Sequence, residues 1–147
     1  GNYATSLGLR VICAQAGWGI FRHNPILGTG TGSFDTEFRK YTQTREIKNV
    51  EYYYTKNPHN GFVSVGVQLG LAGLVLLIAL FAQQWRVSNK LPSPTNYMAK
   101  GMIVTVVIGN LLNSVIYSHT QGIFFVMLTA LFFSSYHLQK SNSINSS

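Results

Sequence analysis

Two long stretches of this sequence, Gly61 to Trp85 and Gly101 to Gln139, contain no Asp, Glu, Lys or Arg. Charged residues make up 10% of the chain and hydrophobic ones 46%, against about 25% charged in an ordinary soluble domain. Uncharged runs of that length belong in lipid, where a helix satisfies its own backbone. The pattern therefore predicts an all-α integral membrane protein and argues against a soluble globular enzyme.

Measured against the roughly 20 apolar positions that cross a hydrocarbon core, three transmembrane helices are expected, at residues 63–85, 101–118 and 122–137. A polar segment, 1–62, precedes them and a polar tail, 138–147, follows. Trp85 followed by Arg86 marks an interface, an aromatic ring and a cation that reaches headgroups. The second and third spans are joined only by the residues around His119, Thr120 and Gln121, which predicts a tight helical hairpin. Asn110, Asn113, Ser114 and Tyr117 fall at helical spacing on one face of the second span and read as polar glue between helices. The loop from Arg86 to Lys100 holds Arg86, Lys90 and Lys100 and no acid, so the positive-inside rule makes it cytoplasmic. Residues 1–62 and the His119 loop are then expected on the opposite, periplasmic side of a bacterial inner membrane.

The formal net charge is +7, but the four acids, Asp35, Glu37, Glu46 and Glu51, fall in one short window and the cations form no single stripe. Nucleic-acid binding needs such a stripe, so no nucleic-acid partner is expected, and membrane lipid is. The lone cysteine, Cys13, excludes an internal disulfide. Residue 1 is Gly with no signal peptide before it, and the chain reads as a piece whose upstream part is missing. Some 60 polar residues make a weak independent core, so segment 1–62 is expected to pack on the membrane helices. Leu7 to Phe21 reads as a helix with Arg10 as its only charge. His23 to Ser33 reads as turns around Pro25, Gly28, Gly30 and Gly32. Asp35 to Lys48 reads as a short surface helix, and Tyr52, Tyr53 and Tyr54 suit a membrane interface or a sugar-stacking surface.

The glycines of Gly28-Thr29-Gly30-Thr31-Gly32 lack both the Gly-Lys-Ser/Thr ending of a phosphate loop and dinucleotide spacing, so they read as backbone that admits a ligand or an adjacent helix. The four histidines are scattered, no metal-ligand spacing occurs, and there is no Gly-x-Ser-x-Gly turn. Chemistry then falls to arginine, histidine and backbone. His59, in Asn57-Pro58-His59-Asn60-Gly61, sits just before the first span, and Arg10 stands alone on its helix. On residue type alone, a solvated turn imidazole and a snorkelling arginine remain open.

Arg10 with Trp18 eight residues on, then Asn24-Pro25-Ile26-Leu27-Gly28-Thr29-Gly30-Thr31-Gly32-Ser33-Phe34, then Pro58-His59-Asn60 running into Gly66, Gly70 and Gly73, together resemble the O-antigen ligase superfamily. This superfamily of membrane enzymes includes O-antigen ligases, O-antigen polymerases and protein O-oligosaccharyltransferases. The resemblance covers residues 5–85 by motif and the last two spans by topology. It implies a larger, GT-C-like helical bundle with further spans and another periplasmic arginine upstream. It also implies transfer of a glycan from an undecaprenyl-diphosphate-linked donor to an acceptor hydroxyl on a glycan, lipid A-core or protein, without metal or cofactor. Arg10 matches the family arginine and His59 the family histidine. The implied roles are a guanidinium fork on the diphosphate for Arg10 and proton acceptance from the attacking hydroxyl for His59. Asn60, Gly28 and Gly30 are the further expected substrate contacts. Gln68 stands in the second block where an acid or other polar residue would be unremarkable, Gly66, Gly70 and Gly73 are spaced to admit another helix, and Arg39 and Arg45 read as ion-paired with Glu37 and Glu46. A membrane transporter and a non-catalytic assembly module are the competing classes.

Overall fold

A computed structural model describes residues 6–45 and 58–145, and among these it is all helical. The helices are α1 (Ser6–His23), α2 (Phe34–Thr44), α3 (Gly61–Ser88), α4 (Thr95–Leu112) and α5 (His119–Asn145). Tyr52, Tyr53, Tyr54 and the end of the expected helix at Glu46 to Lys48 lie outside the described residues.

α1 buries Ile12, Cys13, Ala16 and Ile20, a stripe at helical spacing, and turns Arg10 outward. It ends with Arg22 and His23 in its last turn, where cations meet the negative end of the helix dipole, and Pro25 then disfavours helical backbone before it. α2 begins with Asp35 and Glu37 in its first turn, the complementary arrangement, and buries Phe34, Phe38 and Thr42 every fourth residue. The Thr42 hydroxyl donates to the Phe38 carbonyl at 3.0 Å, so its burial leaves no polar atom stranded. Phe34 and Phe38 close on Ile12, Cys13, Ala16, Ile20 and Val67 to form one apolar core, in which each large side chain contributes about 1.5–3 kcal/mol.

α3 was expected to be a continuous span. Among the described residues it is the one helix long and apolar enough to cross a membrane, but it breaks at Gly70, whose φ of 64° and ψ of −156° no helix contains. The two arms, 61–69 and 71–88, fold back on each other. A Cβ built on Gly73 would lie 3.1 Å from Val65 Cγ1, and one on Gly66 would lie 3.5 Å from Leu74 Cδ1, although eight residues of continuous helix rise about 12 Å. Phe62 accordingly shares a cleft with Ile78, Phe81 and Trp85. The longer arm retains about 27 Å of helix, close to a hydrocarbon thickness. Hydropathy had merged the two because both arms are apolar.

Such a break strands backbone groups, and the glycine loop supplies their partners. Thr29 N and Gly30 N donate to the Val67 and Gln68 carbonyls at 2.9 Å each, while Leu71 N and Ala72 N donate to the Pro25 and Ile26 carbonyls at 2.7 and 3.1 Å. The approach requires two glycines facing one another. A Cβ on Gly28 would fall 2.6 Å from Gly70 N, and one on Gly70 would fall 2.6 Å from Gly28 N. Gly66, by contrast, faces Phe21 of α1. Of the three glycines spaced to admit another helix, one meets α1, one is the break itself and one packs on its own preceding arm.

α4 ends six residues earlier than expected. Asn113 takes up extended backbone at φ −155° and ψ 173°; its Oδ1 accepts from Ser114 N at 2.8 Å, and Asn110 Oδ1 accepts from Ile116 N at 3.3 Å. Short amide side chains here offer the backbone an alternative to helix. The link between the last two helices is therefore 113–118, and His119, Thr120 and Gln121 form the first turn of α5. Asn113, Ser114 and Tyr117 are link residues, not one helical face. α4 pairs with α3 and α5 through Phe81, Met102, Ile103, Val106 and Phe125. Polar Gln84 and Asn110 are buried inside this group while Leu76, Ile78, Ile108, Phe124 and Met127 are turned outward, the arrangement suited to lipid or further helices.

Gly28→Ala and Gly70→Ala should each lower the unfolding free energy of the detergent-purified chain by more than the roughly 1–2 kcal/mol of a left-handed residue. Gly101→Ala, on α4 with open space beside it, should leave it unchanged or raise it by up to about 1 kcal/mol. Thermal melts followed by circular dichroism give the order.

Candidate functional site

Pro58 is buried and His59 follows in a turn with φ of 53°, a left-handed backbone that histidine adopts more readily than most residues. Asn60 then starts α3. Its extended backbone (φ −154°) sets it as N-cap, and its Oδ1 accepts from Phe62 N and Val63 N, both at 3.0 Å. This cap satisfies two of the helix's four open donors. Asn60 Nδ2 also donates to the Leu111 carbonyl at 3.0 Å, and Gly61 lies flush against the Asn110 amide. The His59 turn is thus held between the start of α3 and the end of α4. Asn110 is wholly buried, its Nδ2 donating to the Val106 carbonyl at 2.9 Å and its Oδ1 accepting from Ile116 N at 3.3 Å, so its amide is spent within α4 and the link that follows it.

α1 crosses the first arm of α3 with Gly17 against Val63 and Val67 and Phe21 against Gly66. Both helices end at the glycine loop: α1 runs into it at Asn24, and the arm bonds to it at Val67 and Gln68. Their starting ends, which carry Arg10 and His59, are therefore directed away from the loop. Arg10 is exposed and half-buried His59 borders the turn. Gly28 and Gly30 lie at the other end of the arm, about 12 Å along its axis from Asn60.

The loop's own donors are mostly committed. Gly28 N donates to Asn24 O at 3.0 Å and Ser33 N to Gly30 O at 3.3 Å, and Gly32 N donates to Gln68 Oε1 at 2.6 Å. Gly28 is pressed on α3, whereas Gly30 and Gly32 have nothing within 4 Å of a built Cβ. A ligand approaching this loop meets bare Cα surface at Gly30 and Gly32, not a cradle of free amides.

Of the other arginines, Arg39 pairs with Asp35 at 3.1 Å along α2, and Lys40, not an arginine, pairs with Glu37 at 2.7 Å. Arg45 sits over the Tyr41 ring, 4.8 Å from its centroid, and Glu46 lies outside the described residues. A cleft of about 300 Å³ opens between the end of α1 and α2, lined by His23, Asn24, Glu37, Tyr41 and Arg45 among others. Among the described residues no three His, Cys, Asp or Glu side chains are gathered to hold a metal. Sequence reasoning passed over Ser64 and gave Gln68 no role, yet with Asn60 they recur every fourth residue, a signal visible before the fold was.

Cys13 is fully buried, and burial pushes its thiol up to about 12, so thiolate is negligible at neutral pH. Maleimide should label Cys13 only after denaturation; prompt labelling of the folded chain would show that α1 is not seated on α2 and α3.

The model of a protein family described as O-antigen ligase matches residues 1–78. No curated protein matches the chain.

Proposed function

Since the chain belongs to the O-antigen ligase family, a class of membrane enzymes that act as glycan ligases, we propose that it transfers a glycan from an undecaprenyl-diphosphate-linked donor to an acceptor hydroxyl at the periplasmic face of the inner membrane. The observation that carries this reading is that the family match, residues 1–78, takes in both Arg10 and the capped His59 turn, on two packed helices that end at the same loop. Glycan, lipid A-core and protein are the acceptor classes.

In this reading His59 is the base. A histidine imidazole accepts a proton from an attacking sugar hydroxyl near neutral pH, and the N-cap and the Leu111 contact hold its backbone while the ring stays at the edge of the turn. As the glycosidic bond to the diphosphate breaks, negative charge grows on the leaving oxygen, and a planar guanidinium stabilises it through two parallel hydrogen bonds. Arg10 supplies that fork from an exposed position on α1. Asn60 retains one Nδ2 proton beyond its bond to Leu111, enough for one contact to a sugar oxygen. Of the two loop glycines, Gly30 is the one open to a glycan chain, while Gly28 shapes the loop from behind. The exposed apolar faces of α3, α4 and α5 fit the polyprenyl carrier's lipid surroundings.

Restoration of lipopolysaccharide ladders by the full-length gene in a bacterium lacking its own ligase tests the reading. His59→Ala should abolish the ladder with membrane expression intact, and a normal ladder from that variant would remove the base assignment. Arg10→Lys should lose about 100-fold or more in transfer, because lysine keeps the charge but not the fork; near-normal transfer would reduce Arg10 to a point charge.

A further inference from the structure

Asn60, Ser64 and Gln68 occupy successive turns of one face of α3's first arm, and the two outer ones each join it to another part of the chain. Asn60 Nδ2 donates to the carbonyl of Leu111 at the end of α4. Ser64, 3% exposed, lies between Asn60 and Gln68 on the same face and accepts at Oγ from Gln68. Gln68, 5% exposed, donates through Nε2 to Ser64 Oγ at 2.9 Å and to the Ser64 carbonyl at 3.3 Å, and its Oε1 accepts from Gly32 N at 2.6 Å. Thr29 fastens the same loop beside it, its hydroxyl donating to the Val67 carbonyl at 3.0 Å.

Neither group of Gln68 is spare. The amide's two ends do opposite work, donating into the arm and accepting from the loop, which neither an apolar side chain nor a carboxylate reproduces in full. Ser64 accepts from Gln68, so the polar contacts run from the middle of the arm to the glycine loop. Buried polar chains of this kind define geometry because each broken link leaves a desolvated group unpaired.

We propose that Gln68, anchored on Ser64, is a positioning residue for glycan transfer: the polar stripe on α3's first arm fixes the glycine loop relative to the His59 turn. The proposal rests on the transfer reading above. The stripe touches no reacting atom. It sets the distance between the surface at Gly30 and Gly32 and the turn that carries His59, so that a glycan lying on one presents its hydroxyl to the other.

The test uses the full-length protein in lipid nanodiscs, with transfer kinetics and amide hydrogen exchange measured on the same samples. Gln68→Met, which keeps length and loses both polar ends, should lower kcat about tenfold or more while leaving the donor KM within about twofold. It should also speed exchange in residues 28–33. Gln68→Glu, which still accepts from Gly32 N, should recover much of both losses, and Ser64→Ala should speed exchange in residues 28–33. Unchanged exchange in 28–33 for Gln68→Met and Ser64→Ala overturns the proposal, as does faster exchange spread evenly over α4 and α5, which marks general loosening. If the wild-type protein transfers no glycan, the transfer reading fails, and the exchange pattern alone still decides whether the stripe holds the loop.

Discussion

The described structure depends on the backbone break at Gly70. A helix that stops and restarts exposes carbonyls at one side and N–H groups at the other, and in an apolar setting each unpaired group costs several kcal/mol. Here the Val67 and Gln68 carbonyls and the Leu71 and Ala72 N–H groups are all bonded by one loop, residues 24–32. Loop and break are thus a single unit formed by two remote stretches of sequence. The loop supplies what the break lacks, and the break gives the loop a surface to bond to. Glycines are required on both sides because two backbones meet with no room for a Cβ between them.

From that unit the rest of the arrangement follows. With the break at the end of the first arm, the arm folds back on the second, and α1, which feeds the loop, must lie across the arm. Phe34 and Phe38 of α2 then close on α1 and on Val67 of the arm. The start of the arm is brought to the end of α4, where Asn60 bonds Leu111 and Gly61 meets Asn110. His59 therefore projects from a turn fixed by groups on both sides, which suits a residue whose proposed task is to meet a substrate at a defined angle. The glycines most suggestive of ligand binding turn out to be spent largely on α3. What they leave outward is smooth surface at Gly30 and Gly32, and the donors that might have held a phosphate are bonded elsewhere.

Much of this was legible in the residues. The uncharged runs announced apolar helices, Leu7 to Phe21 announced α1 to within two residues at either end, and the mixed charges from Asp35 to Lys48 marked a surface helix, although its pairs are Arg39 with Asp35 and Lys40 with Glu37 where Glu37 and Glu46 were expected as the arginines' partners. The motif blocks around Arg10, Gly28 and His59 pointed to the family that residues 1–78 match. Three things were misread for identifiable reasons. A hydropathy window cannot register one glycine's φ, so two folded-back arms looked like one span. Asn113 fits a helix as readily as a cap until its extended backbone is seen. Asn60, Ser64 and Gln68 recur every fourth residue, which the sequence shows, but only their partners at Leu111 and Gly32 show what the stripe joins.

The sequence by itself determined which stretches are apolar and, to within two residues, where α3 and α2 begin, at Val63 and Asp35 against Gly61 and Phe34 in the fold, because these depend on residue type and on neighbours within one or two turns. Tertiary structure decided how the break at Gly70 is satisfied, which glycine faces a helix and which faces open space, and which arm of α3 lies against α1. Those outcomes turn on hydrogen bonds between residues some forty positions apart, such as Thr29 with Val67. No local preference encodes them, since a backbone N–H carries the same donor whatever its side chain and finds its acceptor only when the chain has folded.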